Sequence, residues 1–448
     1  MNNLLGNIRY KDFYAWDVKQ YLSSIFYSKY EVVVLGKYIQ AETKKIKPFE
    51  SPHSDFKILG VNNKTGIFDN EIKKGKEISQ PYKIVKNRFL AFNPYRVNVG
   101  SIGIKSEKQE FDLISPAYVV FSCKDELLPE YLFLIFKTQT FNEIIKDNTR
   151  GSVRQILAFN VLETLKIPLP ALNIQQKIAN NYQEKLNLSK QQNERAKQIE
   201  IEIEHYLYQE LGVELPKEEK QNKGALQFVN FKDLDRWDMA YLLNKNKITA
   251  DYGVVPVSYV IDKFLKDNNN DSLRFNSQNH PSKNFQYIGM ENIEKKSGTL
   301  LKFQNVKGVE IKSQTIRLPK GFFLYGKLRP YLNKYFYNTF DDENIITSSE
   351  FFVFSVKNID KLYFKFCLSS SFFQHQITNH TKGARMPRIG EDIFKKIQIP
   401  LPPLEVQRKI ATHIQSLKND IQTLRQEAAK NQKNALSEFE AEIFNAAP

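Results

Sequence analysis

Two stretches carry side chains suited to holding a polyanion. Residues 87–101 read NRFLAFNPYRVNVGS and offer Arg88, Asn93, Tyr95, Arg96, Asn98 and Ser101 in a strand–turn–strand setting. Residues 323–337 read FLYGKLRPYLNKYFY and offer Lys327, Arg329, Tyr331, Asn333 and Lys334. Cations among Asn and Tyr suit DNA: they bind phosphate, while arginine and asparagine can pair bidentately with guanine and adenine edges. An ordinary strand pair with a solvated basic face fits the same residues. Two later loops add Arg150, Ser152 and Arg154, then Lys382, Arg385 and Arg388. Each loop stands just before a domain boundary, so it reads either as a contact loop or as a hinge.

Catalytic patterns are missing. The histidines (His53, His205, His280, His375, His380 and His413) are scattered, with no HExxH or Cys/His cluster for a metal. No G-x-x-x-x-G-K-[ST] loop is present, and Gly100-Ser-Ile-Gly103 is too short for a dinucleotide fingerprint and reads as a turn. Asn93-Pro94-Tyr95 is close to the N-P-P-Y signature of adenine methyltransferases, but the second proline is absent and no cofactor-binding glycine motif precedes it. It reads as a turn joining two strands. The expectation is a chain with no catalytic site and no metal site of its own.

A net charge of +15 points to a polyanionic partner, nucleic acid before others. With 448 residues, 41% hydrophobic, the chain is long enough for two or three folded domains. Cys123 and Cys367 form no disulfide framework. No run approaches the ~20 apolar residues of a membrane span, and the N-terminus has no signal-peptide stretch. The expectation is a soluble, cytoplasmic protein that meets no membrane.

The elements that must position these residues occur twice. KIPLPALNIQQKIA begins at Lys166 and QIPLPPLEVQRKIA at Gln398, 232 positions on and without a gap. Thr149 and Gly151 match Thr381 and Gly383 at that spacing. KDFYAW, at Lys11, and KDLDRW, at Lys232, contain the chain's tryptophans, Trp16 and Trp237. One unit of about half the chain is used twice. Each copy opens with a mixed α/β segment, 1–165 and 230–397, in which Tyr118–Phe121 and Phe351–Phe354 read as buried strands. Helices are expected at 129–146 and 360–378. The I-P-L-P signal breaks the chain, and a long helix follows at 166–212 and again at 398–448, with a linker at 213–229.

The second helix places Ile410, Ile414, Leu417, Ile421, Leu424, Ala428 and Ala435 at alternating steps of four and three, a coiled-coil seam. Asn431 falls in that seam, either as a buried polar residue that fixes register or in a solvated end. The first helix reads from Ile174, with Asn173 as N-cap. Its seam of Ile174, Ile178, Tyr182, Leu186, Ala196, Ile199, Ile203 and Leu207 is interrupted by SKQQNE. Neither helix has the apolar surface to stand alone, so they are expected to pack together, antiparallel. A rod of roughly 55 Å would hold the two mixed domains at a fixed separation, and with the domains inward of its tips it accommodates one turn of B-DNA, roughly 34–36 Å.

The chain resembles the specificity subunit of type I restriction–modification enzymes. The resemblance rests on I-P-L-P-x-L-x-x-Q-x-K-I-A before each long helix, GKLRPYLNK at 326–334, NPYRVNVGSIG at 93–103, and the duplication. It implies an α+β protein of two target-recognition domains separated by helices in an antiparallel coiled coil. In that family each domain reads half of a bipartite, asymmetric site in double-stranded DNA, and the helices set the unread spacer. It further implies a non-catalytic subunit that binds two methyltransferase subunits, on which restriction subunits dock. S-adenosylmethionine, ATP and magnesium would be bound by those partners and none by this chain. The polar middle of the first helix departs from the pattern. Two other readings are a coiled-coil assembly scaffold with incidental basic charge and a self-contained methyltransferase with degenerate motifs.

Overall fold

The computed structural model describes residues 26–63, 65–96, 100–149, 156–215, 248–264, 274–275, 279–311, 314–379 and 386–444. Both tryptophan motifs, most of the 213–229 linker, Asn98, Arg150, Ser152, Arg154, Lys382 and Arg385 lie outside the described residues. The chain forms two compact units, residues 1–194 with 424–448, and residues 195–423. The limits fall inside the two long helices.

In the first unit the strands are β1 (Val32–Val34), β2 (Ile39–Ala41), β3 (Lys45–Ile46), β4 (Asp55–Asn62), β5 (Gly66–Lys74), β6 (Tyr82–Ile84), β7 (Leu90–Phe92), β8 (Ile102–Ile104), β9 (Leu113–Ile114), β10 (Val119–Cys123) and β11 (Lys166–Pro168). They pair as β1-β11, β2-β10-β7-β8 and β3-β6-β9-β4-β5, with β4 and β9 parallel. The apolar run of β10 lies between β2 and β7, as a strand buried on both faces should. Gly100 is a turn residue with φ of +83°, whereas Gly103 belongs to β8. A Cβ on Gly103 would stand 2.2 Å from the Ile67 nitrogen of β5, so only glycine lets the two strands approach so closely.

Helices follow: α1 (Pro129–Ile135), α2 (Gln139–Asn148), α3 (Phe159–Leu162) and α4 (Leu172–Leu211). The single helix expected over 129–146 is two. Thr138 ends the first and caps the second, its hydroxyl accepting the Phe141 N–H at 3.2 Å. The long helix starts at Leu172, not Ile174. Asn173 therefore sits in the first turn, and its Oδ1 accepts the Ile174 N–H at 2.9 Å.

The second unit repeats the plan strand for strand: β12 (Val254–Pro256), β13 (Ile261–Phe264), β14 (Arg274–Phe275), β15 (Asn284–Ile288), β16 (Gln304–Lys307), β17 (Thr315–Arg317), β18 (Phe323–Gly326), β19 (Tyr335–Tyr337), β20 (Ile345–Ser348), β21 (Phe351–Val356) and β22 (Gln398–Pro400). The pairings are β12-β22, β13-β21-β18-β19 and β14-β17-β20-β15-β16, with β15 and β20 parallel. Its helices are α5 (Val257–Val260), α6 (Lys361–Ser369), α7 (Ser371–Asn379), α8 (Glu391–Lys396) and α9 (Leu404–Ile443). The helix expected over 360–378 is again two. Ser370 restarts the chain, its hydroxyl donating to the Cys367 carbonyl at 2.7 Å and accepting the Phe373 N–H at 3.3 Å.

The repeated sequence motif is a staple. Gln175 is fully buried; its Oε1 takes the Leu128 N–H at 2.9 Å, and its Nε2 donates to the Pro170 and Glu126 carbonyls at 2.8 and 2.9 Å. Gln407 does the same work in the second unit, accepting from Asp360 N–H at 2.8 Å and donating to the Pro402 carbonyl at 2.7 Å. The hydroxyls of Tyr131 and Tyr363 donate to the I-P-L-P carbonyls of Pro168 and Pro400, each at 2.9 Å. These bonds dock the start of each long helix on the α/β domain before it.

Each core also includes the far end of the other long helix. Phe439, Ile443 and Phe444 of the α9 end bury with Tyr131 and Ile178 in the first unit. Leu207 and Leu211, at the end of α4, bury with Tyr363 and Ile410 in the second. The two helices run antiparallel in both units. In the first, Lys185 pairs with Glu438 and Asn431 Nδ2 donates to Gln192 Oε1 at 3.0 Å. In the second, Lys409 meets Glu210 at 3.2 Å and Tyr206 packs on His413 at 4.3 Å between ring centres. The seam residues Ile178, Ile199, Ile410, Ile414 and Ile421 are buried, and Ile174, Ile203, Leu417 and Leu424 are half-buried. The polar middle of α4 is seam too: Ser189 is buried and donates to the Ala428 carbonyl at 2.8 Å, beside the Gln192–Asn431 pair. Asn431 thus sits within α9 as a paired seam residue, not in a solvated end.

Candidate nucleic-acid interface

Both basic stretches form the same element, the turn of a hairpin. In the first unit it joins β7 to β8. Asn93 Oδ1 accepts the Tyr95 N–H at 3.0 Å, and the Arg96 N–H closes on the Asn93 carbonyl at 3.0 Å. In the second it joins β18 to β19, where Arg329 and Asn333 flank a short turn with left-handed φ of 48° and 45°. Asparagine tolerates that region better than most residues, and arginine there is uncommon.

The structure brings each turn together with the later loop of its own unit. The Leu157 N–H donates to the Pro94 carbonyl at 3.0 Å. In the second unit the Ile389 N–H donates to the Lys327 carbonyl at 3.1 Å, and the Arg329 N–H to the Pro387 carbonyl at 2.7 Å. Leu157 and Ile389 are 232 positions apart, the spacing of the repeat. Arg96 and Arg329 therefore hold matching places, two residues beyond the carbonyl that anchors the tip. Both are exposed, with no side-chain partner among the described residues. Tyr95 and Tyr331 stand beside them, about half exposed.

Several residues of the basic stretches face inward. Ser101 is 6% exposed, so its hydroxyl cannot serve as a surface contact. Asn333 is fully buried, and its Nδ2 donates to the Leu368 carbonyl at 3.0 Å; it shapes the turn. The Lys334 ammonium donates to the Met290 carbonyl, and burial lowers its pKa. Lys327 Nζ donates to the Ser349 carbonyl at 2.8 Å and lies 5.3 Å from the centre of the Phe352 ring. The last three side chains hold the second tip in shape.

Two further arginines are engaged by carboxylates at the surface. Arg88, at φ of +64°, pairs with Glu130 at 2.9 Å. Arg388 donates to Glu350 through Nε at 3.3 Å and Nη2 at 3.0 Å, and this pairing raises its pKa. Glu350 was not legible as a site residue, because nothing in its local sequence ties it to position 388. Among the described residues, Arg96, Arg329, Arg388 and the two tyrosines are the groups the tips offer to a ligand. Among the described residues no group of three or more His, Cys, Asp or Glu could hold a metal ion. No helix among them is long and apolar enough to cross a membrane.

The family model for the type I restriction modification DNA specificity domain matches residues 29–205 and again 251–431. The MjaIX specificity subunit of a type I restriction enzyme from Methanocaldococcus jannaschii is 33% identical over 111 residues, covering 21% of this chain and 26% of the relative. The MjaVIII specificity subunit of the same organism is 32% identical over 82 residues, 18% of this chain and 19% of the relative. These alignments span about a quarter or less of the curated relatives. A solved chain from a study of type I R-M complex assembly and conformational transition aligns over 93% of this chain and 97% of its own length, at a TM-score of 0.58 and 13% identity. The two domain matches fall on the two copies of the α/β fold with their long helices, and the chain belongs to the type I restriction–modification DNA specificity family.

Proposed function

We propose that this chain is the sequence-reading subunit of a type I restriction–modification enzyme. Each α/β domain reads one half of a bipartite site in double-stranded DNA through its hairpin tip. Two methyltransferase subunits and the restriction subunits are the partners. Chemistry with S-adenosylmethionine, ATP and magnesium takes place on those subunits and not here.

The observation that carries the reading is the matched pair Arg96 and Arg329. A free guanidinium stands at the same place on two copies of one fold, in a chain of net charge +15. Beside these arginines the tips differ: Asn93-Pro94-Tyr95 precedes one, Gly326-Lys327-Leu328 the other. Two similar mountings with different side chains suit an asymmetric site with two unlike halves. Cationic side chains supply affinity by releasing counterions, and base edges supply the choice of sequence. A scaffold without sequence preference accounts for the charge but not for its recurrence at matched tips.

The test is methylome sequencing of a host with and without the gene. The proposal expects one bipartite adenine-methylation motif to vanish on deletion. If every methylated motif persists, the reading is wrong.

A further inference from the structure

The Arg388–Glu350 pair occurs in one tip only. By strand register, Phe352 opposite Tyr325 on β21 and β18 matches Val119 opposite Phe92 on β10 and β7. Glu350 then corresponds to Ala117. The 232-residue spacing makes Ile156 the counterpart of Arg388. Neither counterpart can form an ion pair.

Glu350 joins three segments of the second tip. Its backbone carbonyl accepts the Lys327 N–H of the hairpin at 2.8 Å. Its carboxylate takes Arg388 of the later loop, which bridges to Leu328 by backbone pairing. The carboxylate holds the guanidinium through Nε and Nη2. A guanidinium has five N–H donors, so three stay unused, including the Nη1–Nη2 edge that can pair bidentately with guanine O6 and N7 or with a phosphate. An arginine side chain free to move would lose its rotamer entropy on binding; one already clamped has lost much of it beforehand.

Building on the proposed DNA reading, we propose that Glu350 is a positioning residue: it clamps Arg388 so that its outer edge is set for a base or phosphate of the half-site read by the second domain. Glu350 touches no DNA itself. Because the first tip has no such pair, its loss relaxes recognition in one half of the site only.

The experiment uses the full chain assembled with its methyltransferase subunits. Binding is measured by fluorescence anisotropy on the methylated motif's duplex and on duplexes substituted singly in either half. Glu350→Gln keeps the backbone bond to Lys327 and weakens only the clamp. Its preference for the intact duplex is expected to fall about ten-fold at one position or more of one half, the scale of one bidentate contact, with the other half unchanged. Glu350→Asp, which keeps the charge, should recover part of that preference. Preference unchanged in both halves overturns the inference, and so does an equal loss in both, which marks a general structural role. If the unsubstituted assembly shows no sequence preference, the DNA reading itself fails, and the inference with it.

Discussion

Replacing Gln407 by alanine should destabilise the second unit well beyond what its place on a helix suggests. The side chain is 1% exposed, with its Oε1 on the Asp360 N–H at 2.8 Å and its Nε2 on the Pro402 carbonyl at 2.7 Å. Alanine leaves both groups without that partner, and an unpaired buried polar group costs about 1–3 kcal/mol. Better helix propensity returns only a few tenths of a kcal/mol, so the net loss is about 2–4 kcal/mol. The effect reaches α6, because Asp360 caps that helix by accepting from Leu362 N–H at 3.0 Å and Tyr363 N–H at 2.9 Å. Gln175→Ala removes three bonds and should cost the first unit at least as much. Gln176, adjacent but exposed and bonded only to Asn180 at 2.8 Å, is the control, with an expected change under about 0.5 kcal/mol. Urea unfolding followed by circular dichroism measures all three, with the two units fitted as separate transitions. A Gln407→Ala midpoint shift no larger than that of Gln176→Ala would refute the staple.

Arg96→Ala and Arg329→Ala should each weaken DNA binding by the assembled enzyme and flatten the log–log salt slope by roughly one if the guanidinium meets a phosphate; unchanged slopes and affinities in both would remove the tips from the interface. Asn333→Ala should instead act on stability, by about 1–3 kcal/mol, since its amide bonds the Leu368 carbonyl and its backbone is left-handed; a thermal melt identical to the parent's would contradict that role. Lys418 lies 4.9 Å from the Phe366 ring, and burial, with Lys365 nearby, lowers its pKa from 10.5 to about 8. The folded state thus holds fewer protons than the unfolded one between about pH 8 and 10.5, and stability from this group rises with pH across that window. Lys418→Met should accordingly stabilise at pH 7 and lose that advantage by pH 10, as read from denaturation midpoints at the two pH values.

The frame was legible because it repeats. I-P-L-P with its glutamine, the seam from Ile410 to Ala435 and the paired hairpins are all local patterns at fixed spacing, and each became an element of the structure. What sequence could not give was which way a tip residue points. Lys327, Asn333 and Lys334 look as suited to DNA as Arg329, yet the chain turns twice within five residues, with left-handed backbone at 329 and 333, and those three side chains bond protein carbonyls. The breaks at Thr138 and Ser370 were equally hidden, since one hydroxyl in an apolar run changes the helical period very little. The roles of Gln175 and Tyr131 were within reach: their counterparts Gln407 and Tyr363 stand at the same 232-residue spacing.

That division has a physical basis in the bonds that hold the tips. The turn and the later loop are joined by backbone hydrogen bonds, Leu157 to Pro94 and Ile389 to Lys327, which do not depend on which side chains stand beside them. The loads that do depend on side chains, the buried glutamines and tyrosines, sit where each domain meets its long helix. Substitution at Tyr95, Arg96, Leu328 or Arg329 therefore leaves the mounting intact, while the chemistry offered to a ligand changes. The second tip uses that freedom further than the first. Lys327 donates its N–H to Glu350, a bond closed to Pro94, which has no N–H, and Glu350 then becomes available to hold Arg388. Three differences at matched positions, Pro94 to Lys327, Ala117 to Glu350 and Ile156 to Arg388, thus give the second tip a clamped arginine that the first does not have.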